Sequence, residues 1–368
     1  MQRKLFCTSL SSLRHPQYEN SRAAWYKWEQ RNLYIDEIKG EIFKALIVSD
    51  EIVIDLPGPA SEAVRLLEWL GKENLIKLVK DGTISFSLGT KQIIAVNDYI
   101  KPNEKVNLEI HGKGAVEYND PQAAFSHALK TETDLNKSEI NSLSEILADN
   151  TTIIPDNLYL KIIDETNNDI SGKLGSERFL EYASRSNLGV KYIIVSKANE
   201  IFLMGAELGC NDFTESHLDW NILRNKMSER ARTSDTHGVL DNIIRFEGFP
   251  DFEHAIISGK YNMSDVIKIR NDKHIEDFRK FLNSIPVDNK TSEILSIYRE
   301  SYEKKVFDGL PKKLIRFGVV SALSTGVGAL IAGPTGAIGG IVIGAVDTFF
   351  LDKSLNGWNP RVFIKKNF

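Results

Sequence analysis

Residues 317–346 read FGVVSALSTGVGALIAGPTGAIGGIVIGAV, with no charged side chain between Arg316 and Asp347. So much smooth apolar surface has to be hidden from water. Small residues recur every four positions, at Ser324, Gly328, Ala332, Gly336, Gly340 and Gly344. On a helix that spacing keeps them near one side, drifting by about 40° per step. Gly333-Pro334 interrupts the run, and glycine suits a helix end while proline suits a first turn. The pattern predicts a helical hairpin with arms over Arg316–Ala332 and Thr335–Leu351. Each arm carries a short smooth face on which two backbones approach closely.

Length constrains the partner of that surface. Thirty helical residues span about 45 Å, more than a hydrocarbon core of roughly 30 Å, whereas one arm spans only about 25 Å. A kinked single span, a shallow re-entrant hairpin, or a hairpin buried in the protein or an oligomer interface fits better than two full crossings. Behind the segment, Trp358, Arg361, Phe363, Lys365 and Lys366 mix aromatic and basic side chains. That mixture suits a bilayer interface; the alternative is a tail docked on the core around Trp358-Asn359-Pro360.

The chain as a whole is ordinary in composition. A charged fraction of 26% and a hydrophobic fraction of 42% are those of a globular protein. At 368 residues it has room for two or more domains. A formal net charge of −4 gives no strong nucleic-acid signal. Two cysteines, Cys7 and Cys210, make neither a metal nor a disulfide pattern and point to a reducing compartment. The opening MQRKLFCTSLSSLRHP is basic and poor in apolar residues, unlike a secretory signal. The expected location is cytoplasmic, peripheral to the inner membrane or inserted in it.

Pattern along the chain predicts a helix-rich α+β protein. Ala23–Tyr34 suits an amphipathic helix, and Glu41–Pro57 (EIFKALIVSDEIVIDLP) one or two buried strands. Ser61 is placed to cap a helix over Glu62–Leu70 that Gly71 ends. A short helix over Asn74–Lys80 then turns at Asp81-Gly82 into a strand over Thr83–Leu88. Asp120–Ala148 reads as helical with a break near Thr131–Asp134, and Asp149–Asp156 as a linker. Val190–Val195 (VKYIIV) is a strand candidate, and the chain from His217 onward is mainly helical. The expected domains are a small α/β unit over 1–115, a middle α/β region over 116–216, a helical region over 217–310, and the Gly-rich hairpin with its tail over 311–368.

Three patches carry a resemblance: Asp50–Ala60 (DEIVIDLPGPA), Phe249–Asn283 (FPDFEHAIISGKYNMSDVIKIRNDKHIEDFRKFLN) and Asp347–Ile364 (DTFFLDKSLNGWNPRVFI). Together they resemble uncharacterised bacterial proteins encoded near anti-phage defence genes, which implies a role in bacterial immunity.

Candidate chemistry is sparse. Arg232 and His237, separated by four residues after a helical stretch, resemble the motif of HEPN-type RNases, in which His assists proton transfer and Arg stabilises phosphate charge. A helix-ending loop before Gly238 explains the same residues. Asp50, Glu51 and Asp55 are candidate metal ligands, but strand-end carboxylates explain them as well. The histidines show no ligand spacing. His111-Gly-Lys-Gly114 lacks the length and the Ser or Thr of a phosphate-binding loop. Arg270 and Arg279 lie on a charged helical face, placed for a partner's carboxylates or for solvent. No cofactor is implied. The reading that emerges is a non-enzymatic sensor or effector whose Gly-rich hairpin packs closed and then inserts in a membrane or drives assembly. Its expected partners are lipid, another protein or a second copy. The alternatives are an RNase using Arg232 and His237, and a soluble scaffold with the hairpin in its core.

Overall fold

The computed structural model describes residues 3–10, 28–58, 60–96, 107–171, 188–210, 212–213 and 252–284. The Gly-rich segment, the aromatic and basic tail, Arg232 and His237 lie outside the described residues, as do the helices expected over 218–230 and 293–307.

The protein is a helix-rich α+β chain with a small parallel sheet near its N-terminus. Strand β1 (Lys4–Cys7) leads by helix α1 (Trp28–Val48) to β2 (Glu51–Leu56). Helices α2 (Ser61–Leu70) and α3 (Lys72–Lys80) lead on to β3 (Ile84–Leu88). A two-stranded antiparallel ribbon of β4 (Lys91–Ala95) and β5 (Leu108–Gly112) follows, then α4 (Pro121–Glu132), α5 (Lys137–Ala148) and β6 (Thr151–Ile153). Helices α6 (Asp156–Ser171) and α7 (Leu188–Glu207) return the chain to β7 (Asp212–Phe213). The five-stranded sheet has the order β6-β3-β2-β1-β7, and every pair is parallel. The chain moves outward from β1 to β6 and then crosses back to the other side of β1. The direction of winding therefore reverses between β1 and β7.

Local chemistry accounts for several boundaries. Gly71 takes a φ of +78° and donates its N–H to the Leu67 carbonyl, which ends α2. Asp120 caps α4 by accepting from Ala123 N–H at 2.7 Å, with Pro121 in the first turn. Asn136 and Glu139 form a capping box on α5. The break expected near Thr131–Asp134 is the α4–α5 turn. Ser61 is the first residue of α2, with Ala60 at the N-cap, and its hydroxyl donates to Glu132.

Two expected strands are helical. EIFKALIV, residues 41–48, closes α1, and VKYIIV, residues 190–195, lies inside α7. Both runs are apolar on consecutive positions, which is the one pattern that periodicity cannot divide between a buried strand and a buried helix. Ile42, Phe43, Leu46, Ile47 and Val48 are all almost completely buried, so α1 shows no exposed stripe there. The linker expected over Asp149–Asp156 holds β6, an edge strand of three residues.

Of the described residues, 3–213 and 256–267 belong to one compact unit, while 252–255 and 268–284 belong to another. In the first, Tyr261 stacks on Phe43 of α1 with ring centroids 6.3 Å apart. In the second, helix α8 (Lys273–Ser284) buries Ile275 and Phe278 completely.

Candidate functional site

The sheet's two faces differ in chemistry. Register places Leu5, Cys7, Ile52, Ile54, Leu56, Ile84, Phe86 and Leu88 on one face. All are buried, and Phe86 meets Phe125 of α4 edge-on at 5.2 Å. The opposite face carries Lys4, Phe6, Glu51, Val53, Asp55, Ser85 and Ser87, with Phe213 of β7 beside Phe6. Helices α6 and α7 cover it with Leu158, Tyr159, Ile162, Ala198, Ile201 and Met204. Strands of a parallel sheet are normally apolar on both faces. Here the second face alternates charge and hydroxyl groups with small or aromatic side chains.

At the amino end of that face the polar groups are paired. Lys4 Nζ lies 2.9 Å from Glu51 Oε1, and the Ser85 hydroxyl donates to the same oxygen at 2.7 Å. Asp50 accepts the Arg3 backbone N–H at 2.7 Å. Two of the three candidate metal ligands are thereby committed to structural partners. Among the described residues, no group of His, Cys, Asp and Glu side chains gathers to hold a metal ion.

The carboxyl end is different. Asp55, next to last in β2, is 4% exposed, and its register partner Ser87 is fully buried. Burial pushes the Asp55 carboxyl above its ordinary value of 3.8, Lys197 opposes that shift, Glu200 adds to it, and Lys113 opposes it. The Ser87 hydroxyl faces the carboxylate and lends it weak support, but it forms no full hydrogen bond with any described group. No other described N–H or O–H donates to Asp55.

Around this pair the strand ends are latched. Lys113, just past β5, donates to the carbonyls of Pro57 at 2.8 Å and of Gly89. It thereby ties the ends of β2 and β3 together. Tyr159 of α6 is fully buried, and its oxygen accepts Lys91 N–H at 3.4 Å. Burial raises this phenol too, with Glu200 and Asp55 adding to the effect. A Cβ at Gly89 would stand 2.8 Å from the Tyr159 oxygen, so glycine lets the phenol approach the strand end. On α7, Lys197 and Glu200 pair at 2.9 Å, and Asn199 donates to Asp169 at 2.8 Å and to Thr166 at 3.1 Å inside the α6–α7 contact.

Other features lie apart from this pair. Burial pushes the Cys7 thiol up to about 12, with Glu41 adding to the shift, so it is no nucleophile near neutral pH. An open cleft of about 350 Å³ lies between α2 and the α4–α5 turn. Its Arg65, Glu68 and Glu132 are paired with one another. In the second unit, Arg270 is 9% exposed, and Arg279 Nη2 donates to the Arg270 carbonyl at 3.0 Å. Among the described residues no helix is long and apolar enough to cross a membrane.

Asp55 is visible in the sequence as an acid interrupting EIVIDL, but nothing in the sequence marks Ser87, Lys113, Tyr159, Lys197 and Glu200 as its neighbours. The available signal was ISFSL, where serines occupy alternate positions of an otherwise apolar strand. Compared with known proteins, the chain matches no family model, no curated protein and no solved structure.

Proposed function

We propose that this protein is a non-enzymatic sensor and effector. The sheet-bearing unit receives a signal, and the Gly-rich segment of residues 317–346 carries out the response. That segment forms a two-armed helical hairpin that inserts in a membrane or packs against copies of itself. The observation that carries this reading is the uncharged run with small residues every four positions from Ser324 to Gly344. Glycine costs about 1 kcal/mol per helical position relative to alanine, so close packing or a change of conformation has to offset its repeated use. The resemblance to proteins encoded near anti-phage genes supports a role in bacterial immunity.

The test compares the full chain with a chain ending at Arg316, by flotation on phosphatidylglycerol-containing liposomes and by mass in solution. The proposal predicts that only the full chain floats or self-associates. Substituting Gly336→Leu, Gly340→Leu and Gly344→Leu together should abolish that behaviour while the sheet-bearing unit keeps its melting transition. A full chain that stays lipid-free and monomeric, or a triple variant that behaves like the parent, overturns it.

A further inference from the structure

We infer that Lys113 is a clasp that fastens the β4–β5 ribbon to the carboxyl ends of β2 and β3, and that the ribbon opens as a unit when the clasp is released, with the five-stranded sheet left standing. This inference concerns the sheet-bearing unit alone and stands apart from the role of residues 317–346.

The first support is how the ribbon is built into the fold. Among the described residues it pairs with no strand of the five-stranded sheet. A two-stranded antiparallel ribbon is marginal by itself in water and takes its order from what it is fastened to. Its apolar attachment is small. Ile93 and Ile110 are only partly buried where they pack against the cluster that holds Tyr159, Ala198 and Ile201, and Leu108 meets Tyr192 of α7. Val96, just past β4, stays 45% exposed.

The second support is the fastening itself. Lys113 directly follows β5. Its Nζ donates to the Pro57 carbonyl at 2.8 Å, 56 residues away in the chain, and to the Gly89 carbonyl. Its backbone N–H donates to the Thr90 carbonyl at 3.1 Å, and the Asn119 side chain donates to the Lys113 carbonyl. The backbone of Lys113 is thus anchored at the base of the ribbon while its ammonium reaches the ends of two sheet strands. An ammonium has three donors and no acceptor, and its charge strengthens each bond to a carbonyl oxygen. The other polar ties near β4 are longer. Tyr159 accepts Lys91 N–H at 3.4 Å, Lys91 Nζ lies 3.4 Å from Asp156 Oδ2, and the Thr90 hydroxyl donates to Asp156 at 3.4 Å. Lys113 is therefore the strongest polar link between ribbon and strand ends.

The third support is the charge beside it. The Lys113 ammonium opposes the upward push on the buried Asp55 carboxyl, so closing the clasp brings a cation toward a buried acid. His111-Gly-Lys-Gly114, which is no phosphate-binding loop, thereby acquires a mechanical role.

The experiment follows hydrogen exchange by mass spectrometry along the full chain, for the parent, Lys113→Met and Lys113→Arg. Local opening shows as faster exchange confined to one stretch. The inference predicts that Lys113→Met speeds exchange about tenfold or more in peptides over 91–95 and 108–112, because two charged hydrogen bonds are lost while the aliphatic stem is kept. Peptides over β2 and β3 should keep parental rates, and the variant should keep its melting transition. Lys113→Arg retains charge and donors and should stay within about threefold of the parent. In the parent, low concentrations of urea should speed exchange in the ribbon before β2 and β3. Unchanged ribbon exchange in Lys113→Met overturns the inference, as does Lys113→Arg exchanging as fast as Lys113→Met. Acceleration shared equally by ribbon, β2 and β3, in parent or variant, overturns it too, and so does a Lys113→Met chain that fails to fold, since each makes Lys113 a pin of the whole sheet.

Discussion

Ile52, Ile54 and Leu56 turn to the side of the sheet where Phe86 meets Phe125, whereas Glu51, Val53 and Asp55 of the same strand turn toward α6 and α7. The first face is a continuous apolar layer. The second mixes an ion pair, hydroxyl groups and a buried carboxylate with aromatic and aliphatic packing. Two faces of one sheet share the same strands, so the difference cannot come from backbone propensity. It comes from what each face is asked to do. A face that only stabilises fills with Ile, Leu and Phe. A face that keeps buried polar groups without full partners gives up stability, and such departures mark functional places.

Substitutions on the two faces sharpen or break this contrast. The largest effect is expected at Phe86, fully buried on the apolar face. Phe86→Ala should cost about 3–5 kcal/mol in urea unfolding, through lost transfer energy and the cavity left behind. A loss below 1 kcal/mol would mean that this face does not carry the core. Next is Gly205 of α7, where a Cβ would stand 2.4 Å from Phe213 Cε1 on β7. Gly205→Ala should cost about 1–3 kcal/mol by forcing helix and strand apart. Asn136→Ala, which removes the capping box of α5, should cost about 1 kcal/mol. The smallest effect belongs to the polar face. Ser87→Ala removes a hydroxyl with no full hydrogen bond and should change stability by less than about 0.5 kcal/mol. A large loss there would show that the hydroxyl is structural.

The contrast also explains what could be read in advance. The Asp81-Gly82 turn into β3 and the α4–α5 pair were legible because their signals are local: a glycine at a φ of +76°, an Asp cap followed by proline, and a capping box. VKYIIV and EIFKALIV are helical where strands are expected, because consecutive apolar residues carry no period. Strands β6 and β7, of three and two residues, are too short to carry a pattern and take their identity from the neighbours they pair with. The site was hidden for a related reason. Asp55, Ser87, Lys113, Tyr159 and Lys197 come from five separate elements or loops. Only the parallel topology, with its return crossover to β7, brings them to one edge.

The most direct test of the claim that the second face gives up stability at its buried carboxyl is the pH dependence of Asp55→Asn. Burial raises the folded-state carboxyl above its ordinary value of 3.8, so the native protein holds that proton more tightly than the unfolded chain does. Ionisation therefore takes stability away as the pH rises through and above that value, and neutral asparagine escapes the loss. Thermal and urea melts of the full chain should show Asp55→Asn more stable than the parent at pH 7, with the gain shrinking toward zero as the pH falls through the carboxylate range. A variant less stable than the parent at pH 7 would show that the ionised carboxylate holds the fold together and would contradict this account of the polar face.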